Sequence, residues 1–170
     1  HGHKIISASA AEGTLGKEHL LELLSLVDKS KYVFVLETNG ITLGHDIEYV
    51  RSLSKFKNLH VRVSIKGTNK KEYNTLTGAD SNSYELPFKA LKNLIDFNIS
   101  CNACLMISFS TEKNIDEAKK KLSNLWPGLL KSLELEHITL FPKVASRLKN
   151  ANLMPITFRH GGKIRNFKEN

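Results

Sequence analysis

Five small groups of residues in this sequence could do chemistry. Ser64 and Lys66 lie two apart in the run LHVRVSIK, residues 59–66. Alternate residues of a strand share a face, so a hydroxyl and an ammonium would stand together at a strand end. That pair suits a carboxylate or phosphate ligand, and the rival reading is a solvated lysine. Asn39-Gly40 follows YVFVLET and would make a tight turn whose backbone amides are free to meet the same ligand, unless it merely makes the turn. Cys101-Asn-Ala-Cys104 has the spacing of metal and redox thiols. On a strand, residues i and i+3 project to opposite faces, so these thiols read as packed core side chains and as no ion's ligands. A redox pair of the thioredoxin kind needs a helix amino terminus instead. His137 sits near a strand end, where it could be an acid, base or ligand, or a structural histidine. At the amino end, His1-Gly2-His3 would capture Cu²⁺ or Ni²⁺ if His1 is the true terminus, and otherwise reads as a tag remnant.

The elements that must position these groups are legible as alternating strands and helices. Residues 4–9 (KIISAS) read as a first strand leading into a loop of small residues. Leu20, Leu21, Leu23, Leu24 and Val27 fall on the rows of an amphipathic helix over 17–28. The unbroken apolar run Tyr32–Leu36 predicts a strand buried on both faces, stopped by the polar residues Glu37-Thr38-Asn39-Gly40. A helix near 46–54 should turn Ile47, Val50 and Leu53 inward, with the stem of Arg51 beside them. The next strand, 59–65, sorts Val61, Val63 and Ile65 from His60, Arg62 and Ser64. A short helical turn over 69–78 and a longer helix over 83–97 precede a fourth strand, 100–109. A helix from Thr111 or Glu112 to Leu125 closes at Pro127-Gly128, and a fifth strand over 133–140 leads to a last short helix, 141–150. Strand and helix thus alternate about five times, and each helix is long enough for a right-handed crossover. The expected fold is a mostly parallel α/β sheet, open or curved into part of a barrel. It would occupy residues 1–153, with a basic tail over 154–170 that forms a short strand or stays loosely held.

Composition narrows the function classes. The chain has 170 residues, 41% hydrophobic and 25% charged, as in an ordinary globular domain. Its net charge of +8 favours acidic partners, yet the lysines are spread along the chain with no aromatic-interleaved stripe, which disfavours nucleic acid. No apolar run is long enough to span a bilayer, and no signal peptide opens the sequence. Two cysteines cannot build a disulfide framework, so the expected location is the cytoplasm.

Three strand ends together resemble those of the radical S-adenosylmethionine (radical SAM) superfamily. Residues 6–15, ISASAAEGTL, look like the superfamily's loop Ser-Gly-Gly-Glu-Pro-Thr-Leu. Leu36-Glu-Thr-Asn-Gly40 is similar to the next strand end, where Thr-Asn-Gly is common. Val63-Ser-Ile-Lys-Gly67 matches the strand after it, where a polar residue and a lysine two apart hold the methionyl part of the cofactor. Thr77-Gly78 and the helix to Phe97 resemble the same region in activating enzymes of glycyl-radical proteins and their archaeal relatives. The resemblance runs from about Ile5 to Pro155. It implies a partial (β/α)6 TIM-like barrel lacking its first strand, and S-adenosylmethionine contacts at Glu12, Thr38, Asn39, Ser64 and Lys66. It implies no substrate-radical residue that can be named here.

Two departures accompany the matches. The superfamily binds a [4Fe–4S] cluster through a C-x3-C-x2-C loop after its first strand, and that loop would lie upstream of His1, on this chain's own missing segment or on a partner chain. Ala10-Ala11 stands where a glycine pair allows close approach to the cofactor, and Gly13 where a proline would stiffen the loop. The expected function is therefore a fragment or truncated form of a radical SAM enzyme. Its intact version would cleave S-adenosylmethionine to a 5′-deoxyadenosyl radical, and the chain alone would be inactive. The alternative is a non-catalytic α/β module binding a nucleotide or phosphate through Lys66 and the turn amides of Asn39-Gly40.

Overall fold

The structure, a computed structural model, describes residues 2, 4–8 and 11–167. The expectations for His1, His3 and Ala10 concern residues outside that set. Five parallel strands form one sheet in sequence order: β1 (Ile5–Ala8), β2 (Val33–Thr38), β3 (Leu59–Lys66), β4 (Ser100–Met106) and β5 (Glu134–Glu136). Between them run α1 (Lys17–Val27), α2 (Ile41–His45), α3 (Ile47–Leu53), α4 (Lys70–Thr77), α5 (Glu85–Asp96) and α6 (Glu112–Leu125). After β5 come α7 (Pro142–Asn150) and an antiparallel hairpin of β6 (Thr157–His160) and β7 (Lys163–Asn166). The sheet is a parallel half-barrel, as the partial-barrel expectation required. No helix among the described residues is long and apolar enough to cross a membrane.

The helices cover one face of the sheet. Leu20 and Leu24 of α1, Val50 and Leu53 of α3, Leu91 and Leu94 of α5, and Leu122 of α6 are buried in one cluster with Phe34, Leu36, Val61, Val63, Ile65 and Leu105. Each such side chain contributes about 1.5–3 kcal/mol when fully buried, so this layer sets the sheet's orientation. The opposite face carries polar residues in register: Glu37 beside Arg62, Arg62 beside Asn102, Ser64 beside Cys104 and Lys66 beside Met106.

Several sequence expectations change. The run Tyr32–Leu36 is buried on one face only, for Phe34 and Leu36 are buried whereas Val33 is 39% exposed. Apolar composition alone cannot show that helices cover a single side. The expected helix over 46–54 is α3, but the loop expected before it holds the short helix α2, and the two are divided at Asp46, whose carboxylate accepts the Tyr49 N–H at 2.9 Å and caps α3. That restart sets the phase, so Tyr49, Val50 and Leu53 face the core while Ile47 is 48% exposed. The fourth strand ends at Met106 rather than 109, and the fifth spans Glu134–Glu136 rather than 133–140. Beyond residue 154 the basic segment forms the hairpin. Phe158 anchors it in a buried position, edge-on to Phe167 with centroids 6.2 Å apart.

Candidate functional site

The carboxyl ends of β1, β2 and β3 meet at one rim. There Glu12 is the organising group. Its Oε1 accepts the Thr14 hydroxyl at 2.7 Å and the Thr38 hydroxyl at 2.6 Å, and its Oε2 accepts the Asn39 N–H at 2.7 Å. Thr38 in turn accepts the Gly40 N–H at 3.1 Å, and the Asn39 Oδ1 accepts the Ile41 N–H at 2.9 Å. The structure therefore brings Glu12, Thr38 and Asn39 together, but it corrects the reading of Asn39-Gly40 as a turn with free amides. Both amides are already bound within the chain, because a buried or half-buried N–H is stable only with a partner. The turn itself demands glycine. Gly40 has φ +76°, and a Cβ there would lie 2.9 Å from Val63 Cγ1 and 3.0 Å from Pro87 Cα.

Next along the rim, Ser64 and Lys66 share the polar face of β3, as alternation requires. Parallel register sets Thr38 beside Val63, so Asn39 follows into the row of Ser64. Lys66 Nζ lies 3.9 Å from Glu136 Oε2, a loose pairing on a partly exposed side chain. The Ser64 hydroxyl and the side-chain NH2 of Asn39 donate no hydrogen bond to the described residues, so both remain as donors at the rim.

Two clusters carry charge that the sequence reading passed over. Arg62, centred on the polar face, reaches Glu37 at 3.1 Å, Glu134 at 2.7 Å and Glu136 at 2.8 Å. The Glu134 hydrogen bond raises the Arg62 pKa further, and the same contact holds Glu134 below the usual carboxylate range. Alternation of Arg62 with Ser64 and of Glu134 with Glu136 marked the face, but only the register of three strands joins them. Glu72 lies in the region after β3, within α4. Its Oε2 accepts Thr68 N–H and hydroxyl, both at 2.8 Å, and the Ser110 hydroxyl at 2.6 Å. Its Oε1 accepts the side-chain amides of Asn69 at 2.8 Å and Asn114 at 3.0 Å. Burial opposes its charge, yet the bonds from Ser110, Thr68 and Asn114 outweigh burial and lower its pKa. The signal was the spacing Asn69-x-x-Glu72, a helix-start capping pattern.

His137 borders an open cavity of about 510 Å³ at the end of β5, with Arg159 and Thr139. Its Nδ1 is buried with no hydrogen-bond partner, and burial, helped by the Arg159 charge, lowers its pKa. The two thiols are separated as strand geometry requires: Cys101 alternates with Ala103 on the helix side, and Cys104 lies in the row of Ser64 on the other. They do not fit a shared iron–sulfur or zinc site. Burial pushes the Cys101 thiol up to about 11 and the Cys104 thiol up to about 12. At a mildly alkaline pH the reactive thiolate is then a small minority at both positions. Native protein should accordingly react with an aromatic disulfide reagent far more slowly than unfolded protein, at both thiols. Equal rates in the two states would show that the segment is not held as this strand.

No family model matches the chain, and no curated protein matches it. Solved structures do. The chain aligns with a histidine-tagged anSMEcpe with bound AdoMet at TM-score 0.58 and 21% identity, over 89% of this chain and 44% of that one. Against "Native anSMEcpe with bound AdoMet and Cp18Cys peptide" the values are 0.59 and 18%, over 91% and 50%. A domain of pyruvate-formate lyase-activating enzyme from Bacteroides vulgatus ATCC 8482 aligns at 0.57 and 16%, over 90% of this chain and 97% of that one. The chain thus spans about half the length of the anSMEcpe structures it matches. The likeness is one of fold: the chain has the half-barrel fold of these solved structures, in keeping with the resemblance at its three strand ends.

Proposed function

We propose that this chain is the cofactor-holding part of a radical SAM enzyme that cleaves S-adenosylmethionine. Asn39, Ser64 and Lys66 receive the cofactor at the carboxyl rim, and Glu12 and Thr38 hold the loops around it. The observation that supports this most is the division of labour at the rim. Glu12 is saturated by bonds from its own chain, whereas the Asn39 amide, the Ser64 hydroxyl and the loosely paired Lys66 ammonium are donors left over for a carboxylate. These three groups fit the cofactor's methionyl end. The cofactor is the source of the radical in such chemistry, and this chain's residues bind and orient it. The [4Fe–4S] cluster does not fit the thiols present, so its ligands fall to a further segment or a partner chain. The same segment would continue the sheet past β1, whose Ile5 is 63% exposed at the open edge.

Calorimetric titration with S-adenosylmethionine tests the reading. Lys66→Ala should lose a charge-assisted contact of about 1.5–3 kcal/mol, roughly ten- to a hundred-fold in Kd. Equal binding by both proteins would take Lys66 out of the site, and no wild-type binding at millimolar cofactor would overturn the proposal. Adenosine monophosphate, titrated alongside, separates the alternative: Lys66-dependent binding as tight as that of S-adenosylmethionine would favour a nucleotide-binding module.

A further inference from the structure

Six of the chain's net eight positive charges fall in one segment, residues 137–167, which has six Lys and Arg and no Asp or Glu. In sequence these cations are spread over some thirty residues and form no stripe. The fold draws them together. Thr139 and Arg159 form a parallel bridge, the Leu140 N–H donates to the Arg159 carbonyl at 3.3 Å, and the Arg159 N–H donates to the Ile138 carbonyl at 2.8 Å. The start of α7 is thereby tied to the β6–β7 hairpin. Lys143, Arg147, Lys149, Arg159, Lys163 and Arg165 are all exposed, and among the described residues none has a carboxylate within ion-pair distance. Over residues 1–136, by contrast, eighteen Lys and Arg stand against sixteen Asp and Glu. Phe141, at the junction of β5 and α7, is 63% exposed.

We propose that α7 and the β6–β7 hairpin form a binding face for single-stranded nucleic acid. The uncompensated cations follow the phosphates, and the Phe141 ring offers a stacking surface to a base. Charge complementarity selects a polyanion. A membrane surface is the poorer occupant, because an interfacial helix must present an apolar face, and the apolar residues of α7 (Val144, Ala145 and Leu148) are half-buried rather than free. Arg159 borders the cavity that also reaches Glu136, the partner of Lys66, so the face adjoins the rim, but the inference does not rest on the cofactor reading.

Fluorescence anisotropy with labelled oligo-dT and oligo-U of about 20 nucleotides tests it, from about 50 to 300 mM salt. With about six phosphate contacts the plot of log K against log salt should have a slope near −4, since single strands give roughly −0.7 per contact. The double variant K163E/R165E should weaken binding at least tenfold more than K113E/K120E, an equal charge change on α6, and make the slope shallower by about 1.4. Phe141→Ala should weaken it about tenfold with the slope unchanged. Tighter binding of oligo-U than of oligo-dT would assign RNA, and the reverse DNA. The proposal is overturned by equal losses from the hairpin and α6 reversals, by no binding at micromolar protein in low salt, or by binding to phosphatidylserine vesicles with none to either oligonucleotide.

Discussion

Gly44→Ala is expected to destabilise the protein by about 3 kcal/mol or more, although alanine is the better helix former. Two effects of opposite sign compete. In the interior of a helix, alanine is favoured over glycine by up to about 1 kcal/mol. Gly44 of α2, however, is where that helix presses on α5: a Cβ would overlap the Leu86 carbonyl oxygen and stand 2.9 Å from its carbon. Those are backbone atoms, so no rotamer change relieves the clash, and α2 must move away from α5. Moving it also strains the bond from the buried Asn93 side chain to the Leu43 carbonyl, 2.9 Å long. The overpacking cost therefore exceeds the propensity gain. A fall in Tm of roughly 6–12 °C should follow for a chain of this size. Gly16→Ala supplies the control, since its Cβ would meet nothing nearer than 4.0 Å. An unchanged Tm for Gly44→Ala would mean that α2 and α5 do not pack as described.

Glu72→Gln should be the second large effect, about 2–3 kcal/mol. The carboxylate takes five donors on two oxygens, and glutamine must turn an NH2 toward at least two of them. Thr68 and Ser110 can rotate their hydroxyls, but the Thr68 N–H cannot become an acceptor, and Asn69 can turn its Oδ1 to the new NH2 only by giving up the Glu72 N–H that it caps. The pH dependence follows from the sign of the shift. The folded pKa is lowered from 4.5, so the stabilisation is fully present above the unfolded value and is lost as pH falls through the folded one. Wild type should thus lose stability below about pH 4.5, and the gap between wild type and Glu72→Gln should narrow over the same range. Denaturant titrations at several pH values measure this. A gap that stays constant down to acid pH would show that the charge of Glu72 contributes nothing. Because Glu72 ties the loop after β3 to the loop after β4, the variant should also weaken the S-adenosylmethionine binding proposed for the rim at Lys66.

The sequence by itself determined the order of elements and the faces of the long strands. Val61, Val63 and Ile65 bury while Ser64 and Lys66 do not, since alternation along a strand is a local property of the backbone. The same rule parted Cys101 from Cys104. The strand-end motifs likewise carried the expectation of a parallel half-barrel.

Only the tertiary structure decided which partners those residues met. Glu12 lies 26 residues from Thr38 and closes on it across two strand ends, so its role as a latch rather than a free carboxylate has no signature in its own loop. Arg62 gathers Glu37, Glu134 and Glu136 from the other strands of the sheet, and register alone joins them. Which side of β2 helices would cover was equally hidden, because Val33 and Phe34 are alike in hydrophobicity and differ only in what packs above them. Local pattern fixes where a side chain points, whereas the groups it meets come from distant parts of the chain and are chosen by how the sheet and its helices close.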